Sequence, residues 1–235
     1  MFILLTCNQG GEVIMSTKDR IIQASIELFN SHGERAITTN HIAAHLQISP
    51  GNLYYHFKNK EDIIRHIFKL YRQHLDTQFK PINHDEPVMA QLSHYFDALF
   101  ELMWKFHFFY DNMTDILSRD AELKADYIAF QQRLFDQVTD IVLALGDNGI
   151  LNVDEEQAAE LTHMLKLTVS FWTPYIKARR QSGELNRGDI YQGLLKIITL
   201  FMAFTTAAGR EPLGLLKQHY QQRQAQLQTS PSTHS

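Results

Sequence analysis

The sequence predicts an all-α protein, and three observations carry that expectation. Apolar residues recur three and four apart along most of the chain, the spacing of a helix face turned to a core. Ser, Thr, Asn and Gly punctuate the runs where helices should start and stop. Glycine and proline are sparse, at 11 and 6 among 235 residues, while Leu, Ile, Phe, Ala and Gln are frequent. With 44 % apolar residues the chain can bury a substantial core, and its length leaves room for a small module and a larger helical body.

The formal net charge is −4, which argues against a non-specific nucleic-acid coat but leaves room for a local binding patch. Cys7 is the only cysteine, so neither an intramolecular disulfide nor a cysteine-built zinc site can form, and a cytoplasmic compartment fits. No apolar run is long enough to span a bilayer, so no membrane association is expected. The opening Met1 to Cys7 lacks a basic leading segment, and its apolar stretch is too short for a signal peptide. Residues 1–14 read as a disordered leader, with Met15 a more natural beginning.

The first helix is expected over 17–31, with Ile21, Ile22, Ala24, Ser25, Leu28 and Phe29 at helical spacing and Gly33 as the stop. A second opens at Thr38 or Thr39 and carries Ile42, Ala43 and Leu46 on one face. Ser49 is a good N-cap, and Pro50 suits the first helical position, where its missing N–H costs nothing. The third helix is therefore 50–56, with Leu53 as its apolar anchor and Ile48 in the preceding turn pointing to the core. Asn59 caps a fourth helix, over 60–79, with Asp62 at its third position.

Beyond a loop at 81–87, Leu92, Tyr95, Phe96, Leu99, Phe100, Met103 and Phe106 mark a fifth helix. The run from Trp104 to Tyr110 is apolar on every side, so it should be buried all round or line a cavity. A short sixth helix covers 108–117 and a seventh 121–145. Asn152 with Glu155 resembles a capping box for an eighth helix over 153–181, in which Pro174 should produce a kink. The ninth helix is placed at 187–208, with apolar residues on more than one stripe. Pro212 starts the last helix, and 221–235 is a polar, frayed tail.

The stretch from Ile37 to Ile64 organises the rest. Two short helices with a tight turn form the helix-turn-helix plan, whose second helix lies in the DNA major groove. Gly51, Asn52, Tyr54, Tyr55 and His56 would make a poor core element and a good surface for base edges and phosphates. The run from Ser49 to Lys60, SPGNLYYHFKNK, preceded by Thr38-Thr39 and Ile42-Ala43, closely resembles the DNA-binding domain of the tetracycline-repressor (TetR) family. The match covers about 18–64; beyond it the likeness is one of helix content and length.

The resemblance implies a helix-turn-helix domain over 15–64, with the fourth helix connecting it to an effector-binding and dimerisation domain over 65–220. It implies that Tyr54 and His56 clasp phosphates, that Gly51, Asn52 and Tyr55 approach bases, and that Thr39 and Lys60 reach phosphates from the edges. Thr38, Asn40, Ser49 and Lys58 complete the expected DNA-binding set; Asn40 stands where some relatives carry a basic residue. Leu53 and Phe57 should be core. The family's bundle would place the eighth and ninth helices against a partner chain, with Leu194, Ile197, Ile198 and Phe201 at the homodimer interface.

An aromatic belt runs through the larger domain. Residue by residue it reads as ordinary core. As a set it reads as the lining of an effector pocket, formed by Phe100, Trp104, Phe108, Tyr127, Phe130, Phe171, Trp172 and Tyr175, with His107, Asn112, His163 and Thr173 as polar groups. Such a pocket suits an apolar or aromatic effector. Glu160 and His163 have the Glu-x-x-His spacing of di-iron bundles, but the motif occurs once and those sites need it twice. No metal or cofactor is expected. No nucleophile elbow, phosphate loop or dinucleotide fingerprint is present, so no catalytic residues are assigned and no enzyme is expected.

The sequence thus reads as a ligand-responsive dimeric transcriptional regulator, a repressor of a palindromic operator released by a small effector. The alternative is a helical ligand-binding or protein-interaction module whose DNA binding is secondary or lost.

Overall fold

The computed structural model describes residues 15–83, 85–181 and 183–229. The expected leader at 1–14, with Cys7, and the tail end at 230–235 lie outside the described residues. Ten helices form among the described residues: α1 Thr17–His32, α2 Thr39–His45, α3 Pro50–His56, α4 Lys60–Gln78, α5 Val88–Lys105, α6 His107–Arg119, α7 Ala121–Asp147, α8 Glu155–Arg179, α9 Arg187–Ala203 and α10 Arg210–Thr229. The chain divides into two compact units between Tyr71 and Arg72, inside α4.

The first unit is a three-helix module completed by the start of α4. Ile21, Phe29, Ile42, Leu53, Phe57, Ile63 and Ile67 are buried in its core. Ser16 caps α1 by accepting from the Asp19 amide, and Gly33 ends it at φ +82. Thr38 and His41 form a reciprocal capping box on α2. The turn into α3 closes with two bonds, from the Gln47 amide to the Ala44 carbonyl at 3.1 Å and from the Ile48 amide to the Ala43 carbonyl at 3.0 Å. This is the Schellman pattern. It places Gln47 at φ +55, where glycine is the usual choice. Ser49 caps α3 with Pro50 at its first position, and Asn59 Oδ1 accepts the Asp62 amide at the start of α4.

The second unit packs α5 to α10 with the last part of α4. Phe106 ends α5 and begins α6 with φ −114 and ψ 26, so the apolar run is bent at its centre; Phe106 to Tyr110 are all buried. Here α6 starts one residue earlier and runs two further than expected. Asp154, not Asn152, caps α8, in a reciprocal box with Gln157. Asn152 is instead drawn to α9, its amide donating to the Phe204 carbonyl at 2.7 Å. The helix passes through Pro174 without ending and stops at Arg179.

The ninth helix ends at Ala203 rather than at 208. Thr205 bridges Leu151, and the Thr206 hydroxyl donates to the Gly149 carbonyl at 2.6 Å. The strand-like bridge takes the backbone that would have continued the helix. The tenth helix extends through most of the expected tail, to Thr229. Tyr220 is fully buried, and its hydroxyl donates to Asp97 at 2.9 Å, which fastens α10 to α5.

Leu194, Ile197, Ile198 and Phe201 do not form a partner surface. All four are buried inside the unit, where Phe201 meets Phe96 edge-on and α9 is packed by α5, α8 and α10. An apolar face covered by three neighbours of the same chain has nothing left to offer a second copy.

Gly209 joins α9 to α10 where a Cβ would stand 2.1 Å from the Ile150 carbonyl oxygen. Because backbone cannot rotate away, Gly209→Ala is expected to lower unfolding free energy by about 2 kcal/mol or more, measured by urea denaturation. An unchanged midpoint would show that the α7–α8 turn yields.

Candidate functional site

The helix-turn-helix displays what it does not bury. Leu53 is fully buried and points α3 at the core, which turns Gly51, Asn52, Tyr54 and Tyr55 outward. Tyr55 is 85 % exposed, far more than an aromatic ring gains from leaving water alone. Its ring meets His56 edge-on at 5.0 Å, which stiffens both. Tyr54 shares a 3.0 Å hydrogen bond with Thr39, so the two hydroxyls form one polar edge across α2 and α3. Asn40, Ser49 and Lys58 are exposed beside them. Residues 15–71 hold seven Lys and Arg against five Asp and Glu, a weakly cationic module in a chain that is net negative.

Three members of the expected DNA-binding set have internal duties. The Thr38 and Ser49 hydroxyls cap α2 and α3. Lys60 differs most from expectation. Its ammonium donates to the Glu34 carbonyl at 3.0 Å and the Ile37 carbonyl at 3.1 Å, and pairs with the buried Glu34 carboxylate at 2.9 Å. Two of the ammonium protons go to backbone carbonyls and its charge is paired with the carboxylate, so the expected phosphate contact gives way to a tie between the start of α4 and the α1–α2 link. The sequence places a lysine beside the recognition helix without showing that a glutamate 26 residues earlier is buried against it.

The expected effector lining separates into two groups. Phe100, Trp104, His107, Phe108, Asn112, Tyr127, Phe130 and Trp172 lie within the larger unit, buried or partly so. Phe100 stacks on Tyr191 at 4.2 Å, Trp104 stacks on His107 at 5.6 Å, and the Trp172 indole N–H donates to the Asp189 carbonyl at 2.7 Å. His163, Phe171 and Tyr175 are exposed instead. The helical period explains this: Leu161, Leu165, Trp172 and Ile176 hold the inner face of α8, so 163, 171 and 175 fall outside it. His163 packs on Phe135 at the surface, which leaves it no role in a buried effector site.

A polar cluster joins α6 to α8 inside this aromatic setting. Asp111 accepts from the Thr173 hydroxyl at 2.8 Å and from the Lys177 ammonium at 2.5 Å. One turn earlier on α6, His107 is only 7 % exposed, and its Nδ1 has no hydrogen-bond partner among the described residues. Burial pushes the imidazole down to about 4, with nearby Asp111 opposing and Lys177 adding to the effect. The ring is therefore neutral at pH 7. Burial likewise raises the Tyr127 phenol, whose hydroxyl donates to the Met113 sulfur at 3.0 Å. The sequence pointed to His107 and Thr173 but not to Asp111 and Lys177, which complete the cluster. The i, i+4 pairs 107/111 and 173/177 were the available signal.

Two family models match the chain, described as "Bacterial regulatory proteins, tetR family" over residues 21–67 and "Bacterial transcriptional repressor" (TetR) over residues 70–213. A TetR-family transcriptional regulator from Marinobacter aquaeolei superposes with a TM-score of 0.79 at 36 % identity, covering 88 % of this chain and 99 % of that one. The HTH-type transcriptional regulator SAB2452 of Staphylococcus aureus is 32 % identical over 130 residues, covering 54 % of this chain and 68 % of that protein. QacR of Staphylococcus aureus, an HTH-type transcriptional regulator, is 39 % identical over 66 residues, 28 % of this chain; the match spans 35 % of QacR's own length.

Lys60→Ala is expected to destabilise the protein by about 3 kcal/mol, since it leaves a buried carboxylate unpaired. Thermal and urea melts measure that, and a stable variant with weaker DNA binding would restore the phosphate role. The His107 prediction follows from linkage. With the folded pKa depressed below the unfolded value, its contribution is intact above pH 6.5 and is lost as pH falls toward 4. The loss is on the order of 3 kcal/mol. His107→Phe should flatten that part of a stability–pH curve, and an unaltered curve would show the ring protonating without penalty.

Proposed function

This chain belongs to the TetR family of bacterial transcriptional regulators, and from that premise we propose that it is a dimeric, ligand-responsive repressor binding a palindromic operator through α3. The observation that carries the reading is the exposed face of α3. Tyr54, Tyr55, Asn52 and Gly51 are held outward by a capped helix whose single inward residue is Leu53. Tyr55 and Asn52 are the base-reading side chains. Tyr54, Thr39 and His56 take phosphates, with Asn40 and Lys58 at the margins. Phosphate contacts fix register, while base contacts carry sequence preference.

One short helix reads only a few base pairs, so two modules on a dimer must meet two half-sites about one DNA turn apart. Met164, Leu167, Phe171 and Tyr175 form an exposed stripe along α8, each close to half exposed. These replace the α9 residues as the partner face. The spacing i, i+3, i+7, i+11 is that of one helix surface, and so much apolar area in a row asks for cover.

The effector enters the larger unit near α6 and α8. The α4 helix is one unbroken element from Lys60 to Gln78, and its final turns are fastened to α5: His74 shares a hydrogen bond with the Ala98 carbonyl at 3.2 Å, and Phe79 stacks on Tyr95 at 5.5 Å. Movement of α5 or α6 on effector binding would be carried along α4 and alter the separation of the two α3 helices. Operator and effector affinities are then reciprocally linked. Its place of action is the cytoplasm, where the operator is, and no helix of the described residues is long and apolar enough to cross a membrane. The role is regulation rather than catalysis.

Selection of bound fragments from random duplex DNA should return a palindrome, and failure to enrich any sequence at low salt would refute the regulator. On that palindrome, Tyr55→Ala is expected to cost about 1–3 kcal/mol of binding. Unchanged affinity would remove Tyr55 from base contact. Phe171→Asp should give a folded monomer in sedimentation with operator binding lost, whereas Phe201→Asp should fail to fold. A dimeric Phe171 variant would move the interface elsewhere.

A further inference from the structure

Two polar side chains in the larger unit are more than nine-tenths buried and lack a hydrogen-bond partner among the described residues: His107 through Nδ1 and Gln131 through Oε1, at 7 % and 8 % exposure. Such atoms lose their water on folding and regain nothing, which costs about 1–3 kcal/mol each. A folded protein keeps few of them, and each asks for a reason.

His107 lies on α6 and Gln131 on α7, and the contacts of Tyr127 put the two at a similar level of the α6–α7 hairpin. The hairpin at Asp120 turns α7 back beside α6, and Tyr127 contacts both Phe109 and Met113. Moving away from the hairpin past that contact leads to His107 on α6 and, one turn on, to Gln131 on α7. Asp111 ties this layer to Thr173 and Lys177 of α8, and Thr139 ties α7 to Thr162 of α8 at 3.2 Å. The surrounding surface is aromatic: Trp104 stacks on His107, and Phe108 and Phe130 are buried beside them in sequence.

Charge selects the ligand class. Lys177 already neutralises Asp111, and His107 is uncharged because burial holds it down to about 4. A cationic ligand would meet Lys177 with no free carboxylate to offset it. An anionic one would meet Asp111. An uncharged hydroxyl fits both unpaired atoms: its O–H donates to Gln131 Oε1, and its oxygen accepts from His107 when Nδ1 carries the proton. We propose that His107 and Gln131 are the polar end of the effector site, and that they select an uncharged, flat aromatic molecule bearing a hydroxyl group. The proposal rests on reading the protein as a ligand-responsive regulator, and it names the chemistry that regulator senses.

The test uses the full chain and three probes of one shape: 2-naphthol, naphthalene and 2-naphthoate, measured by equilibrium dialysis and thermal melting. The expected result is binding of 2-naphthol about ten-fold or more tighter than either of the others, with a raised melting temperature. His107→Phe and Gln131→Leu should each bring 2-naphthol to within about two-fold of naphthalene. Both free variants should melt at or above the parent, because an unpaired buried polar atom has been removed. No preference for 2-naphthol in the parent, or a preference that survives both substitutions, overturns the proposal. So does a crystal structure in which an ordered water alone satisfies both atoms in the presence of 2-naphthol. Selected operator DNA is bound in parallel. A protein that binds operator but shows no preference among the probes refutes the hydroxyl site alone, and one that binds no DNA refutes the regulator.

Discussion

The burial of α9 governs the larger unit. Its apolar residues occupy too much of the helix circumference for one neighbour to cover, and an uncovered face would hold that surface in water. Three helices therefore pack round it. Gly193 lets Trp172 of α8 approach so closely that a Cβ there would stand 2.7 Å from the indole. Tyr191 stacks on Phe100 of α5, and α10 closes the remaining side, pinned by Tyr220 on Asp97. Once α8 has committed its inner face to this packing, Met164, Leu167, Phe171 and Tyr175 must point away. The surface available to a second copy is thus a consequence of how α9 is enclosed.

A comparable constraint acts in the small unit at another scale. An isolated module of this size has few contacts with which to fix the angle of its recognition helix. Lys60 supplies one by holding the Glu34 and Ile37 carbonyls and the Glu34 carboxylate together. Its worth lies less in net stability, where a buried pair offsets its own desolvation, than in geometry. The Schellman turn at Gln47 is similar. A left-handed glutamine is a modest local cost, accepted because the turn sets the offset between α2 and α3.

What the sequence made legible follows the range of the interactions. Caps are local, so Ser49, Pro50 and Asn59 placed α3 and the start of α4 to the residue. Helical periodicity is also local, and it located the helices to within several residues, except the end of α10, which runs on to Thr229. The errors came from long-range competition. Asn152 had a plausible capping partner in Glu155, but Asp154 with Gln157 took the cap while the Phe204 carbonyl drew the Asn152 amide. Thr205 and Thr206 look like helix continuation until Gly149 and Ile150 stand beside them. The side of α9 or α8 that faces a partner is not encoded in apolarity alone, since core and interface use the same residues. Gln131 was invisible for the opposite reason: a glutamine on a long polar-faced helix reads as surface.

These two kinds of deviation call for different explanations. Where a local rule gave way to a tertiary contact, as at Asn152 or Lys60, the structure gains a bond that offsets the loss. At His107 Nδ1 and Gln131 Oε1 the described residues supply no such bond, although Asp111, one turn from His107, takes both the Thr173 hydroxyl and the Lys177 ammonium. A fold able to pair the part-buried Asp111 carboxylate with a lysine across two helices can pair an imidazole equally well. Natural chains sit close to a stability threshold and shed cost that serves nothing. Two unpaired polar atoms in one aromatic layer are therefore best understood as stability withheld from the free state, to be recovered when a ligand completes the bonds. That recovered energy is what a regulator needs, because only a ligand that distinguishes two states of the protein can shift the balance between them.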